Sequence, residues 1–405
     1  MNSFRLLIFT LLLAVFTHQL QAQIVMRTRL NVEKTDADIR TGAERTEAWL
    51  PWLEGKNVAV VANQTSLIGS THLVDSLLAL KVKVKKIFSP EHGFRGDAGN
   101  GDAVANSVDA KTGLPVISLY GNHTKPTAKD LKGIDVLVYD IQDVGCRFYT
   151  YVTTMSYCME ACAAMNKTFV VLDRPNPNGY YVDGPVLEPA YKSYVGLHPV
   201  PVVYGMTIAE YAQMVNGEKW LPGGIHCDLK VVTCEGYSHT DWYQLPVAPS
   251  PNLPNMAAVY LYPSLCLFEG TSISVGRGTD QPFQVIGHPK LMNAAYTFTP
   301  VSKAGATNPP YAGQLCHGHD LHTFATLYVR DFKGLYLFWL QGCYKDMPDK
   351  TGFFNDYFEK LAGTATLREQ IIAGKTEEEI RNSWQPGLRK FKETRRKYLL
   401  YEDFE

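Results

Sequence analysis

The sequence predicts an α/β protein with a Rossmann-like, doubly wound and mainly parallel sheet, followed by a smaller C-terminal α+β domain. Three observations predict this fold class. Apolar runs typical of strands alternate with helix-like segments along the first half of the chain. The runs are continuous, as expected for strands that are buried on both faces. Each run ends in a cluster of polar residues and glycine, which predicts a crevice along the carboxyl ends of the strands.

The elements of the first half follow in a regular order. Five strands are predicted. The second is an apolar run that reaches Glu91, and the other four cover residues 57–62, 115–119, 135–141 and 168–172. Thr207 and Glu210 have the spacing of a capping box, which predicts a helix start. The predicted helices cover residues 35–53, 72–80, a short segment before residue 135, 148–165 and 207–215.

The second half is less regular. Residues 245–290 are rich in proline and glycine and are predicted to form a long functional loop. Thr376 is predicted to cap a charged C-terminal helix. We therefore divide the chain into a signal peptide at residues 1–22, a catalytic domain at 23–285 and a C-terminal auxiliary domain at 286–405.

The first 22 residues have the pattern of a secretory signal peptide. Arg5 precedes an apolar segment at residues 6–16, and Ala22 ends a sequence suited to cleavage. The segment is too short for a convincing membrane span. No cysteine follows it, so we expect no lipid anchor. The sequence predicts a periplasmic or secreted protein without a stable membrane anchor.

Composition and missing motifs exclude several classes of function. The 405 residues carry a formal net charge of −1, which argues against nucleic acid as the partner. The eight cysteines include no pair with zinc spacing and are predicted to be buried thiols, with a disulfide between Cys227 and Cys234 as the alternative. No P-loop and no GxGxxG fingerprint is present. We therefore expect neither a metal nor a cofactor.

The most informative motif is SPEHGFRGDAG, at residues 89–99. It places Glu91, His92 and Arg95 together where a predicted strand stops. A carboxyl group at that edge is a candidate proton donor, and its histidine and arginine neighbours are candidate substrate ligands. The alternative is a carboxylate that caps the turn or pairs with Arg95.

A second charged group lies at the end of the fourth predicted strand. Asp140 and Asp143 are close enough in sequence for both to reach the crevice. Two carboxyl groups flanking a bond are what glycosidic cleavage usually requires. Arg147 is a candidate for holding a substrate carboxylate in a bidentate fashion. A structural pair of aspartate and arginine explains these residues equally well.

Further polar and aromatic residues near strand ends are assigned to substrate binding. Asparagine and aspartate are natural partners for sugar hydroxyls, although both are also ordinary turn residues. A stiff loop, DRPNPNG, and a glycine-rich segment at residues 268–279 supply most of the candidates. They are Asn63, Tyr149, Asp173, Arg174, Asn176, Glu269 and Arg277.

These motifs carry a resemblance to a known family. The chain contains, in order, SPEHGFRGDA, YDIQDVGCRFYTY, VLDRPNPNG, SPNLP and FEGTSISVGRGT. It resembles a bacterial family long labelled as a domain of unknown function, whose members are exo-lytic β-N-acetylmuramidases. The resemblance covers the chain from Gly55 to the C-terminus. It implies a Rossmann-like catalytic domain, a smaller C-terminal domain and a cleft between them.

The resemblance also implies a reaction and a substrate. The reaction is release of the terminal β-1,4-linked N-acetylmuramic acid from the non-reducing end of peptide-free peptidoglycan saccharides, with Glu91 as the acid. Glu91 would protonate the departing oxygen. Asp143 or Asp140 would stabilise the oxocarbenium-like centre or activate water, unless the substrate's N-acetyl group acts as nucleophile. Arg147 or Arg277 would hold the lactyl carboxylate.

Two other functions stay open at this point. A non-catalytic periplasmic saccharide-binding protein would use the same crevice and the same aromatic residues. A hydrolase acting on a different cell-wall fragment would share the carboxyl groups. Turnover of a chromogenic β-N-acetylmuramide separates the muramidase from the binding protein. Substrate profiling by mass spectrometry tests the other hydrolase.

Overall fold

A seven-stranded sheet forms the centre of the computed structural model, which describes residues 39–94 and 106–405. A separate two-stranded hairpin, β2 with β3, follows the first strand. The strands of this part are β1 (Asn57–Ala62), β2 (Leu67–Ile68), β3 (Thr71–His72), β4 (Lys83–Ser89), β5 (Ser107–Val108), β6 (Pro115–Ser118), β7 (Val136–Asp140), β8 (Thr168–Leu172) and β9 (Asp228–Val232).

The strand order of the large sheet is β5-β6-β4-β1-β7-β8-β9. All neighbouring strands are parallel except β5, which pairs antiparallel with β6 at one edge. The chain runs outward from β1 to β4 and β6, and then returns to the opposite side of β1 with β7. The strand order therefore reverses at β1. In open α/β sheets, this switch point is where the ligand crevice forms.

Helices cover both faces of the sheet. Alternate residues of β1 belong to different apolar clusters, with Val58 and Val60 on one face and Ala59 and Val61 on the other. The first face packs against α1 and α2, and the second against α3 and α4. These helices are α1 (Thr46–Leu53), α2 (Leu73–Ala79), α3 (Tyr151–Ala164) and α4 (Ile208–Gly217).

The C-terminal part adds a small antiparallel sheet and seven helices among the described residues. The sheet has the order β10-β12-β11. Its strands are β10 (Val285–His288), β11 (Tyr296–Phe298) and β12 (Cys316–Asp320). The helices are α5 (Met256–Leu265), α6 (His322–Leu327), α7 (Val329–Phe332), α8 (Phe338–Asp346), α9 (Tyr357–Ala362), α10 (Thr366–Ile372) and α11 (Glu377–Arg395).

The predicted doubly wound α/β fold is confirmed, and most predicted elements are present. The predicted helix caps form, with Thr207 at the start of α4 and Thr376 at the start of α11. The helix predicted from residue 35 is shorter, since its described part is helical only in α1 and a single 3₁₀ turn, Gly42–Glu44. The strand predicted to reach Glu91 ends at Ser89.

Two predictions of secondary structure are wrong. The short segment before residue 135 forms turns instead of a helix. Residues 245–290 form α5, a 3₁₀ helix (Cys266–Gly270) and β10 instead of one long loop. Pro263 lies inside α5, and buried side chains surround this helix on almost every side. It therefore lacks the amphipathic period by which a surface helix is recognised.

Residues 39–405 pack as one unit, and the proposed domain boundary at residues 285 and 286 stays a prediction. The predicted signal peptide lies outside the described residues. Within the described part, no helix combines the length and apolar composition that a membrane crossing requires. All eight cysteines are buried free thiols, as predicted.

Candidate active site

A cavity of about 530 Å³ opens at the carboxyl ends of β4, β6 and β7. This volume is within the range of small-molecule sites. One part of the lining comes from residues between Glu91 and Leu253, and the other part comes from Tyr262 onward. Of the predicted site residues, the structure brings five into this lining, namely Glu91, His92, Tyr149, Glu269 and Arg277.

Glu91 reaches the cavity because a tight turn follows β4. The Gly93 N–H donates to the Pro90 carbonyl over 3.2 Å, and both His92 (φ +72°) and Gly93 (φ +79°) have left-handed backbone conformations. The Glu91 side chain lines the cavity while its residue is only 8% exposed. The hydroxyl of Thr150 donates to Glu91 Oε2 over 3.2 Å. Within the described residues, Glu91 Oε1 has no hydrogen-bond donor.

The loop that carries SPNLP braces this turn. His92 Nε2 lies 3.2 Å from Ser250 Oγ, and the Tyr149 hydroxyl donates to the Pro249 carbonyl over 2.9 Å. A left-handed conformation at a non-glycine residue costs free energy, so it persists where the surroundings enforce it. Contacts from a distant loop therefore hold the carboxyl-bearing turn in one conformation.

Aromatic rings join the two parts of the lining. Tyr149 contacts Tyr151 and Tyr262 edge to face, with ring centroids 4.7 and 5.7 Å apart. Tyr262 contacts Phe283 in the same way, at 5.1 Å. Phe283 in turn lies under the guanidinium of Arg277, whose centre is 5.0 Å from the ring centroid. Such contacts make a rigid surface against which a sugar ring can pack.

Tyrosine hydroxyls provide most of the remaining polar lining. Burial, followed by the nearby Glu91 carboxylate, raises the pKa of Tyr151. Burial also raises the pKa of Tyr194 and Tyr357, and both of these also lie within electrostatic reach of Glu91. These three phenols therefore stay protonated at neutral pH. The Tyr151 hydroxyl donates to the Pro249 carbonyl over 3.5 Å, and the Tyr194 hydroxyl lies 3.2 Å from Thr154 Oγ1.

Arg277 and Glu269 form the charged end of the cavity. Arg277 Nε donates to Glu269 Oε1 over 2.7 Å, and the arginine side chain is 13% exposed. Among the described residues, the terminal nitrogen Nη1 is buried and has no acceptor. A second cation of the lining, Lys360, forms no ion pair within residues 39–94 and 106–405. The lining therefore combines one ion pair, in which the terminal nitrogens of Arg277 have no acceptor among the described residues, with one further cation, Lys360.

Asp140 and Arg174 do not reach the cavity. They form a buried bidentate ion pair, with Arg174 Nε 2.6 Å from Asp140 Oδ1 and Nη2 3.0 Å from Oδ2. Arg174 also donates to the Leu67 carbonyl. Asp140 thus belongs to a structural pair of aspartate and arginine. The assignments of Asp140 to catalysis and of Arg174 to substrate binding are corrected.

Asp143 is also outside the lining. Its Oδ2 accepts hydrogen bonds from the Tyr204 hydroxyl and from the Gly145 N–H. Burial raises the pKa of this carboxyl to about 6. The residue is 5% exposed, and its other oxygen is buried with no donor in the part of the chain that the structure describes. The structure does not place this carboxyl where it could flank a bond in the cavity.

The assignment of Arg147 to substrate binding is corrected, because this residue is buried and connects distant segments of the chain. Its guanidinium donates to four backbone carbonyls, at 2.7 to 2.9 Å, and the residue is 1% exposed. Two of these carbonyls belong to α9, which also carries Tyr357 and Lys360. Arg147 therefore ties the sheet side of the molecule to the part of the lining that comes from Tyr262 onward. The four carbonyls are those of Pro185, Val200, Leu361 and Ala362.

The other predicted ligands are buried and structural. Asn63 Nδ2 donates to the Tyr151 hydroxyl over 3.1 Å, so it supports a lining residue without lining the cavity itself. Asp173 accepts from the Tyr401 hydroxyl at 2.5 Å, and Asn176 donates to the Met206 carbonyl at 2.8 Å. Their assignment to substrate binding is corrected. Arg95 lies outside the described residues.

Several lining residues were not predicted. Thr150 and Tyr151 directly follow the assigned Tyr149, so the motif itself carried a signal for them. Tyr357 and Lys360 are more than 250 residues from Glu91, and nothing in their local sequence indicates a site. Among the described residues, no three His, Cys, Asp or Glu side chains cluster closely enough to hold a metal ion.

Two family models match the chain. The model described as exo-beta-N-acetylmuramidase NamZ, N-terminal, matches residues 58–257. Its C-terminal counterpart matches residues 260–401. The chain belongs to the NamZ family. The resemblance found in the sequence is thereby confirmed, and both matched segments contribute residues to the lining of the cavity.

Individual relatives agree with this assignment. The chain is 40% identical over 371 residues to the peptidoglycan beta-N-acetylmuramidase NamZ of Bacillus subtilis (strain 168), covering 86% of this chain and 88% of that one. Two solved structures of DUF1343 family proteins from Bacteroides fragilis NCTC 9343 are similar. BF0379 has a TM-score of 0.85 at 48% identity, and BF0371 has 0.73 at 32%. Each match covers 90% of this chain and 99% of the other.

Proposed function

We propose that this chain is an exo-β-N-acetylmuramidase that releases the terminal β-1,4-linked N-acetylmuramic acid from the non-reducing end of peptide-free peptidoglycan saccharides. Membership of the NamZ family supports glycosidase activity on peptidoglycan. The observation that carries the proposal is the carboxyl of Glu91, which lines the cavity with one oxygen held and the other without a donor among the described residues.

Glu91 serves as the general acid in this proposal. Thr150 holds Oε2, which leaves Oε1 for the departing glycosidic oxygen. Proton donation at that atom lowers the barrier for cleavage because the leaving alcohol is otherwise a poor leaving group. The protonated tyrosines of the lining donate to sugar hydroxyls, and the rings that join the two parts of the lining pack against the sugar face.

As the glycosidic bond breaks, the anomeric carbon can be stabilised by one of two routes, and water completes the hydrolysis afterwards. A route through Asp140 or Asp143 requires a carboxylate that is buried with other partners to turn into the cavity. A route through the acetamido group of the substrate requires no such movement. We favour the acetamido route. Replacing the acetyl group by trifluoroacetyl should then slow turnover steeply, and an unchanged rate would contradict this route.

The decisive experiment measures turnover of an N-acetylmuramic acid–N-acetylglucosamine disaccharide by the wild type and by Glu91→Gln. The wild type should release both sugars, and the variant should lose activity about 1,000-fold at an unchanged melting temperature. Longer fragments should shorten only from the non-reducing end. A saccharide-binding protein without catalysis would bind the disaccharide and release nothing, and full activity of the variant would also overturn the proposal.

We further propose that the chain acts outside the cytoplasm. Support comes from the signal-peptide pattern of residues 1–22, whose cleavage after Ala22 would expose Gln23. N-terminal sequencing of protein from the periplasmic or extracellular fraction should then begin at Gln23. Recovery of the uncleaved chain from the cytosol would contradict this localisation.

A further inference from the structure

The guanidinium of Arg277 lines the cavity and has no role in the proton transfer proposed above. Its Nε binds Glu269, but the fork formed by its two terminal nitrogens has no protein acceptor within the described residues. Nη1 is buried, so water does not freely replace a missing partner there. A buried donor without an acceptor costs free energy, which suggests that another molecule supplies the acceptor.

Other buried arginines of this protein show what a structural guanidinium looks like. Arg147 donates to four backbone carbonyls, and Arg395 donates to the Gly205 carbonyl and to both oxygens of Asp403. In each case both terminal nitrogens have acceptors. Arg147 also has a buried nitrogen without an acceptor among the described residues, but that atom is its Nε, and Arg147 does not line the cavity. Arg277 differs from both, because only its Nε is engaged within the described part of the chain and the side chain lines the cavity.

The formal charges of the lining point in the same direction. Apart from Glu91, the acid of the proposed reaction, the lining contains two cations, Arg277 and Lys360, and one anion, Glu269. These three side chains sum to a formal charge of +1. One carboxylate on the bound molecule would balance this charge.

We propose that the terminal nitrogens of Arg277 bind the carboxylate of an acidic sugar, with Glu269 as the positioning residue that orients the guanidinium. This inference rests on the proposed function, in which the carboxylate is the lactyl group of N-acetylmuramic acid. The planar fork of arginine matches a carboxylate through two parallel hydrogen bonds. Selection of muramic acid over glucosamine would then depend on Arg277, because the lactyl carboxylate distinguishes the two sugars.

The test compares three aryl glycosides: the β-N-acetylmuramide, its lactyl methyl ester and the β-N-acetylglucosaminide. Arg277→Lys keeps the charge without the fork, and the double variant Glu269→Gln/Arg277→Met removes both partners of the ion pair. Each should lose about 10- to 100-fold in kcat/KM for the acid substrate and change little for the ester. Arg389→Met, at an exposed residue of α11, is the matched control and should leave all three rates unchanged.

Two outcomes would overturn the inference. One is an unchanged preference for the acid over the ester in both Arg277 variants. The other is an equal loss on all three substrates in variants that melt at the wild-type temperature, since that result indicates a role unrelated to the carboxylate.

Failure of the proposed function gives a different result. Calorimetric binding of free N-acetylmuramic acid and N-acetylglucosamine to Glu91→Gln, with and without Arg277→Lys, tests the subsite without turnover. Suppose that the wild type hydrolyses none of the substrates, while the binding of muramic acid still depends on Arg277. The carboxylate subsite is then supported, and the hydrolase proposal fails. If the affinity for muramic acid is the same with arginine or lysine at this position, the subsite fails even where hydrolysis is observed.

Discussion

Two sets of charged side chains follow the strands of the large sheet, and they differ in how their polar atoms are used. Glu91 lines the cavity, where one carboxyl oxygen has no protein donor among the described residues. Asp140 and Arg147 lie behind the cavity and use their polar atoms on buried partners. Charged residues at strand ends thus have two roles in this protein: some bind other parts of the chain, and others line the cavity where a substrate would bind. The two roles differ in whether a polar atom of the side chain lines the cavity without a protein partner among the described residues.

The largest expected change in kcat is at Glu91, and it should distinguish this residue from Asp143. Glu91→Gln should lower kcat about 1,000-fold because it removes the acid. Asp143→Asn should keep kcat within about tenfold, since the amide oxygen still accepts from Tyr204 and Gly145 and no proton is transferred there. Initial rates on the N-acetylmuramic acid–N-acetylglucosamine disaccharide, whose sugar leaving group depends on the acid, measure both changes. A comparable loss in Asp143→Asn, at an unchanged melting temperature, would return that residue to the catalytic set.

Removal of the Arg147 guanidinium should mainly lower stability. Arg147→Met leaves four buried carbonyls without these donors, so we expect the free energy of unfolding to fall by about 3 kcal/mol or more. Urea unfolding followed by tryptophan fluorescence measures the change. Arg389→Met, with its exposed side chain, should stay within about 0.5 kcal/mol. An unchanged free energy of unfolding in Arg147→Met would show that this residue is not a structural connector.

The buried carboxyl of Asp173 should make stability fall as pH rises. Burial raises its pKa in the folded protein to about 7, against about 4 in the unfolded chain. The folded state therefore binds the proton more tightly, so the contribution is full below pH 4 and is lost as pH rises through 7. Asp173→Asn should flatten the dependence of the unfolding free energy on pH in the range from about 4 to about 7.

The matched control for this pH dependence is Glu54→Gln, which changes an exposed carboxylate. It should leave the slope of unfolding free energy against pH as in the wild type. A slope that persists in Asp173→Asn would assign the pH dependence to another buried group, such as Asp143.

The smallest effect is expected at Lys360. This exposed cation supports substrate binding only at long range or through water, so Lys360→Met should raise KM for the muramide about threefold to fivefold. KM for the lactyl methyl ester should not change. Added salt should shrink the difference because it screens exposed charges. An equal change of KM on both substrates would exclude an electrostatic role.

Local patterns predicted the part of the site that depends on neighbouring residues. The turn at Glu91 follows from a buried strand, a proline and a glycine within a few residues. The helix caps at Thr207 and Thr376 are also local, and both form as predicted. The charged residues around Asp140 were locally similar to those around Glu91, and local patterns did not distinguish ligand from connector.

Signals within short stretches of the chain were enough to establish a doubly wound α/β protein of a recognisable family, with Glu91 at a strand end. Apolar periodicity, turn residues and ordered motifs act over short distances, and each leaves a local pattern. Which strand-end groups line the cavity depends instead on long-range packing. Arg147 meets carbonyls more than 200 residues away, and Tyr357 and Lys360 arrive from the C-terminal segment. A hydrogen-bond partner so distant in sequence leaves no local pattern, so only the folded chain shows which polar atoms remain free.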